Sequence, residues 1–117
     1  MRLEAKKYLY DIEQAAALVV QFTTGKEFQD YQRDPMLRLA VERAFSIIGE
    51  ALSHLARLDV SLAVQIREYR SIIAFRNILV HAYAEVDDRL VWDIIETKLS
   101  ALVQDAAMLM QEGESQS

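Results

Sequence analysis

The chain of 117 residues has no cysteine, one proline and three glycines, and these scarcities exclude several kinds of protein. Without cysteine there is no disulfide, no thiolate nucleophile and no thiolate metal site. The two histidines, His54 and His81, are too few for a multi-histidine metal site, although counting leaves a carboxylate-rich site open. Asp11, Glu13 and Gln14 interrupt the apolar residues near the N-terminus, which argues against a signal peptide or membrane span. We therefore expect a cytoplasmic protein with no membrane segment, no metal and no other cofactor.

Positive charge is also scarce. Thirteen lysines and arginines face eighteen acidic residues, and the formal net charge is −5. A protein that coats nucleic acid nonspecifically is normally basic, because neutralising phosphates drives that affinity. The composition excludes such a protein, but it leaves room for a nucleic-acid enzyme with a small local basic site.

Apolar residues recur at three- and four-residue steps through most of the chain, and no alternating strand pattern appears. The pattern predicts an all-α antiparallel bundle of four main helices, with a short fifth over residues 60–66. The main helices cover about 3–22, 35–58 and 72–83, and a last helix follows Asp87 or Asp88. We expect one domain over residues 1–111, with a disordered polar tail over 112–117.

Local signals mark the ends of these helices. Gly25 suits the left-handed position after a helix end, and Asp34 before Pro35 suits a helix start. Phe28 and Tyr31 fall in a short polar connection, which we expect them to pin onto the bundle. Gly49 lies inside the second main helix, where a glycine costs roughly 1 kcal/mol relative to alanine, so a close helix crossing is plausible there.

The concentrated chemistry of the sequence lies in one helix, residues 72–83. At about 100° per residue, Arg76, Val80, Ile73, Asn77 and His81 share one face. A freely solvated face would not favour the two apolar members, so we expect something to cover it, and a second copy of the helix is the simplest candidate. The opposite arc is predicted to be an ordinary core face, made of Ile72, Phe75, Ile78, Leu79 and Ala82.

An arginine beside a histidine suits phosphodiester chemistry. Arg76 can hold a phosphate by two hydrogen bonds, while His81 can take a proton from a ribose 2′-hydroxyl or give one to the leaving oxygen. Asn77 can orient His81 or hold a backbone phosphate. Alternatively, Arg76, Asn77 and His81 form a buried polar network at a dimer interface, where they only specify how the two subunits pair. Glu50 and His54, one turn apart, are most simply a solvated pair.

The segment RNILVHAY at residues 76–83 matches the Arg-(four residues)-His-x-Tyr motif of the HEPN superfamily and closely resembles the HepT-type toxins. The resemblance covers most of the chain. Residues 47–51 are similar to that family's preceding long helix, and residues 86–92 to its entry into the last helix. Ala82 and Ala84 depart from the glycine and the aromatic that relatives often carry, which puts loop conformation and substrate fit in doubt.

The resemblance implies a small all-helical homodimer that cleaves RNA where the two motif helices meet. It assigns the catalytic roles to Arg76 and His81, places a polar residue at Asn77, and implies metal-independent cleavage that leaves a cyclic phosphate. It also implies a type VII-like toxin-antitoxin system, in which an MntA-type minimal nucleotidyltransferase antitoxin transfers AMP onto Tyr83. The sequence does not choose between transfer RNA and messenger RNA as substrate.

The residues are also compatible with two other classes of function. One is a noncatalytic helical dimer that binds a nucleotide or a nucleotidyltransferase partner. The other is an enzyme acting on a small phosphate-bearing molecule, which is weaker because the chain has no glycine-rich phosphate loop.

Overall fold

A computed structural model describes residues 1–81 and 86–115, and these ranges form seven helices and no strand. In chain order the helices are α1 (Leu3–Thr23), α2 (Phe28–Arg33), α3 (Pro35–Leu58), α4 (Val60–Ala63), α5 (Tyr69–His81), α6 (Asp88–Thr97) and α7 (Leu99–Ser115). The expected all-α class is confirmed.

Helices α1, α3, α5 and α7 form the main packing contacts, with α1 against both α3 and α7, and α5 against α3. Tyr8, near the start of α1, stacks on His54, near the end of α3, so these two helices run antiparallel. Gly113, near the end of α7, lies against Met1 and Lys6, so α7 is also antiparallel to α1. The core between them is largely aliphatic, and its most buried members include Leu9, Ile12, Val19, Val41, Phe45, Ile48, Leu52, Leu55 and Leu102.

Three predicted helix-end signals agree with the observed ends, whereas the central helix, predicted to begin at residue 72, begins at Tyr69. Gly25 has φ 77°, a left-handed conformation that glycine adopts without steric cost. Asp34 Oδ1 accepts the Leu37 N–H at 3.1 Å at the start of α3. Asp87, rather than Asp88, begins the helix after the motif, because its Oδ1 accepts the Arg89 N–H at 2.9 Å.

The polar connection predicted before α3 is itself a short helix, α2. Asp30 accepts the backbone N–H of Glu27 at 2.8 Å, which closes a capping box at its start. Tyr31 is fully buried, with its ring 5.5 Å from that of Trp92, and Phe28 is half-buried. The two aromatic side chains therefore pin this segment onto the bundle as expected, and their burial favours a helical turn over an irregular loop.

The last predicted helix is divided into α6 and α7. Thr97 Oγ1 donates to the Asp93 carbonyl at 2.6 Å, a bond that bends helices, and Lys98 leaves the helical conformation with φ −123°. The predicted single helix was wrong at this point, because local side-chain bonding interrupts an otherwise continuous apolar pattern. The short fifth helix is present as α4, which ends at Ala63. Helix α7 continues to Ser115, and the predicted 1–111 domain boundary stays a prediction.

Candidate functional site

The segment before α5 is anchored to α7 by one ion pair. The Arg67 backbone N–H and Nε donate to Asp105 Oδ2 at 2.9 and 3.1 Å, and Nη2 donates to Oδ1 at 3.0 Å. Asp105 is only 8% exposed, and the Arg67 hydrogen bonds hold the pKa of its carboxyl below the ordinary value. The adjacent Glu68 has φ 58° and pairs with Lys98 Nζ at 3.2 Å. These contacts fix the start of α5.

Gly49 brings α3 and α5 into direct contact. A Cβ added at Gly49 would lie 2.1 Å from Arg76 Cβ and 2.6 Å from its Cγ, distances that no side chain can occupy. The close crossing inferred from the sequence at Gly49 is therefore present. Its consequence is that the base of the Arg76 side chain lies against the backbone of α3.

The guanidinium of Arg76 has neighbours on both sides. Nη1 donates to Asn77 Oδ1 at 3.2 Å, and Nη2 lies 3.9 Å from Glu50 Oε2, close enough for an ion pair but too far for a hydrogen bond. Nε is shielded from solvent and finds no hydrogen-bond partner among the described residues. About a quarter of the side chain, 26%, stays exposed, so the group remains open to an incoming anion.

Glu50 extends this arrangement along α3. Its Oε1 lies 3.8 Å from His54 Nε2, and Arg57 Nη2 lies 3.2 Å from His54 Nδ1. The His54 ring stacks on Tyr8 with centroids 5.3 Å apart and planes 14° apart. The solvated Glu50–His54 pair expected from the sequence is present, but its contact with Arg76 was missed. One sequence signal could have predicted this contact, because Glu50 directly follows Gly49, where a close helix crossing was expected.

The chain itself covers part of the mixed face of α5, since Ile73 packs half-buried against the core, and the outer part of that face is uncovered. Asn77 and His81 are exposed, and Val80 is 49% exposed. His81 is the last residue of α5, and its side chain makes no hydrogen bond or ion pair with other residues in the described ranges. Arg76 and His81 share this helix, but no hydrogen bond within the described chain joins them, as their spacing of about 140° predicts.

The opposite arc of α5 is only partly a core face. Ile72 and Phe75 are buried as predicted, but Ile78 is 49% exposed, so its assignment to the core was wrong. The reason is tertiary, because α6 packs away from α5 there and leaves an open groove of about 310 Å³ that Ile78 and Leu90 help to line. Ala82 and Tyr83 lie outside the described residues.

A second polar cluster surrounds α2. The Tyr31 hydroxyl finds no hydrogen-bond partner in the described part of the chain. Burial raises the pKa of Tyr31 well above its ordinary value, and the nearby carboxylate of Glu42 raises it further. Burial also raises the pKa of Glu42, with Asp88 adding to it. Arg38 Nε lies 3.9 Å from Asp88 Oδ1. The cluster links α3 to the start of α6.

Residues 1–81 and 86–115 contain no group of three or more histidine, aspartate or glutamate side chains that could hold a metal ion. Within the same ranges, no helix combines the length and apolar character needed to cross a membrane. These features define a class, a small all-helical protein that presents an arginine, an amide and an imidazole on one exposed helix.

Comparison with known proteins narrows this class. The family described as "Ribonuclease HepT-like" matches residues 12–109. The chain therefore belongs to the HepT-like ribonuclease family, and it is a ribonuclease with RNA as its substrate.

Two relatives with ribonuclease names match the chain over nearly their whole length. The "Probable ribonuclease HepT" of Thermococcus cleftensis is 34% identical over 102 residues, which cover 87% of this chain and 92% of the relative. The "Putative RNase MJ1380" of Methanocaldococcus jannaschii is 29% identical over 106 residues, which cover 91% and 96%. No solved structure gives a significant match to the chain.

Proposed function

We propose that Arg76 and His81 are the catalytic pair of this ribonuclease, supported by Asn77, and that they cleave RNA without a metal ion. The observation that carries the proposal is the placement of Arg76, fixed on α3 at Gly49 and flanked by Asn77, on the helix that ends at the exposed His81. Family membership favours this function over a noncatalytic nucleotide-binding dimer.

The reaction needs no water in its cleavage step. One His81 imidazole removes the proton of a ribose 2′-hydroxyl, and the 2′-oxygen attacks the adjacent phosphorus as the bond to the 5′-oxygen breaks. An imidazolium returns a proton to the leaving 5′-oxygen, giving a 5′-hydroxyl end and a 2′,3′-cyclic phosphate. Arg76 holds the phosphate and balances the charge that builds on its oxygens in the transition state.

A homodimer completes the site. Arg76 and His81 point about 140° apart on α5, so a second α5 across a two-fold axis supplies the complementary pair. Val80 is 49% exposed beside His81 and Asn77, a mixed surface that a second copy would cover. In this arrangement one histidine acts as base while the other acts as acid.

The same site is the target of regulation in a type VII-like toxin-antitoxin system in the cytoplasm. The antitoxin is an MntA-type minimal nucleotidyltransferase that transfers AMP from ATP onto Tyr83, seven residues after Arg76. The added bulk and negative charge compete with RNA phosphate for the arginine. The RNA substrate is transfer RNA or messenger RNA.

The decisive experiment is RNA cleavage by purified, unmodified protein in EDTA. We expect cleavage by the wild type, products ending in a cyclic phosphate, and loss of roughly 10²–10⁴-fold in His81→Ala, the range for a missing acid–base group. Arg76→Ala should also lose cleavage while the dimer persists. Activity that disappears in EDTA, or that survives in His81→Ala, would contradict the proposal.

The regulatory part has its own measurement. After co-expression with a nucleotidyltransferase of the MntA type, intact mass should rise by whole AMP units in the wild type and stay unchanged in Tyr83→Phe. A mass increase in Tyr83→Phe would place the modification on another residue. Sedimentation of Val80→Asp should show a monomer if the α5 face forms the dimer interface.

A further inference from the structure

We infer that Glu50 is a positioning residue for Arg76 and that His54 holds Glu50 in place, so that the site extends from α5 onto α3. The inference rests on the proposed function for the role of Arg76 in cleavage. The contacts themselves stand independently of that function.

Arg76 is restrained along most of its length, but not at its outer end. Its Cβ and Cγ lie against Gly49, and its Nε is shielded from solvent. Asn77, whose Oδ1 accepts a hydrogen bond from Nη1, is itself exposed on the outer face of α5. Glu50 is the only carboxylate in ion-pair contact with Arg76 among the residues that the structure describes. Its charge attracts Nη2 while Asn77 Oδ1 accepts from Nη1, and the two contacts together orient the exposed nitrogens.

The Glu50 carboxylate has its own support along α3. Arg57 Nη2 can only donate, so in this contact His54 Nδ1 accepts and Nε2 is the ring nitrogen that can donate. Nε2 faces Glu50 Oε1 at 3.8 Å, and stacking on Tyr8 limits rotation of the ring. The result is a continuous series of side-chain contacts from Arg57 through His54 and Glu50 to Arg76.

This placement has two opposite effects on catalysis. A carboxylate within ion-pair distance of the guanidinium favours one orientation of that group by charge attraction, which favours the transition state. The same negative charge repels an incoming phosphate and weakens substrate binding. Removing the charge at Glu50 should therefore lower kcat without raising KM, which loss of a substrate contact would not produce. Thermal unfolding distinguishes this result from loss of folded protein, which also lowers apparent kcat.

The kinetic test compares Glu50→Gln with Glu96→Gln, which removes the same charge from an exposed position on α6. We expect kcat of Glu50→Gln to fall about tenfold or more, since small displacements of a positioned group are costly. KM should stay level or decrease, and thermal unfolding should match that of the wild type because Glu50 is 56% exposed. Wild-type kcat in Glu50→Gln, or a raised KM with kcat unchanged, would overturn the assignment.

A second test does not depend on cleavage. Rotation of the Arg76 guanidinium about its Cζ–Nε bond exchanges the two Nη positions, and this exchange can be followed by NMR, with the signals identified by their loss in Arg76→Lys. We expect slow exchange in the wild type and several-fold faster exchange in Glu50→Gln and, less strongly, in His54→Ala. Equal exchange in wild type and Glu50→Gln would overturn the inference. Faster exchange in protein that cleaves no RNA would refute the proposed function and leave the positioning role intact.

Discussion

The two ends of α5 differ in how firmly the rest of the chain holds them. The N-terminal end follows the Arg67–Asp105 pair, and the helix is held again at its middle, where Arg76 meets Gly49 of α3. The C-terminal end carries His81 on a surface that the described chain leaves uncovered. One end is thus fixed by the monomer, and the other is open to a second molecule.

This difference separates the two chemical tasks of the proposed site. The phosphate-binding group, Arg76, is oriented by intramolecular contacts and needs little reorganisation when substrate arrives. The proton-transfer group, His81, has no such support from the described residues, and a partner subunit or the RNA itself would have to complete its surroundings. Stability and activity should therefore respond differently to substitutions at the two ends.

The largest effect on stability is expected at the helix crossing. Gly49→Ala should lower the free energy of unfolding by about 1–3 kcal/mol, because its methyl group overlaps Arg76 in a tightly packed contact. This cost exceeds the roughly 0.5–1 kcal/mol by which alanine is preferred to glycine within a helix. Denaturant unfolding monitored by circular dichroism measures the change.

Gly113→Ala is the matched control. Its methyl group would meet Met1 Sδ at 3.0 Å, the end of a flexible side chain that can move aside. This variant should be neutral or more stable than the wild type. Equal destabilisation of both alanine variants would mean that the crossing at Gly49 is not a special constraint.

A smaller effect is expected at the anchor before α5. Asp105→Asn should cost about 1 kcal/mol at neutral pH, the net value of a typical hydrogen bond. Because Arg67 lowers the pKa of Asp105 in the folded state, the stabilisation is present above the ordinary aspartate pKa and is lost as pH falls through the lowered value. The unfolding midpoints of the wild type and Asp105→Asn should therefore converge at acidic pH. A difference between the two midpoints that stays constant with pH would contradict the stabilising role of the Arg67–Asp105 pair.

The smallest effect on stability is expected at His81. Because this side chain is exposed, His81→Ala should change the free energy of unfolding by less than about 0.5 kcal/mol. Thermal unfolding in the Val80→Asp background, which removes the proposed dimer interface, is the measurement. A clear destabilisation would show that His81 supports the fold, and the contrast between the two ends of α5 would then be lost.

Much of the fold could be predicted because its signals are local. Gly25, Asp34 and Tyr31 mark ends and anchors through their own conformational and burial preferences, and each has the predicted role. The division of the last helix at Lys98 was not predictable from apolar spacing, since the pattern continues across it. Ile78 fits a core position by spacing and is exposed only because α6 does not cover it.

By itself, the sequence determined the helical class, the close crossing at Gly49 and the placement of Arg76, Asn77 and His81 on one helix. These follow from residue periodicity and from the missing side chain of glycine, which are properties of the chain. Only the tertiary structure decided that Glu50 reaches Arg76 and that His81 stays uncovered. Both depend on how two helices distant in sequence approach each other, and spacing along one helix carries no information about that approach.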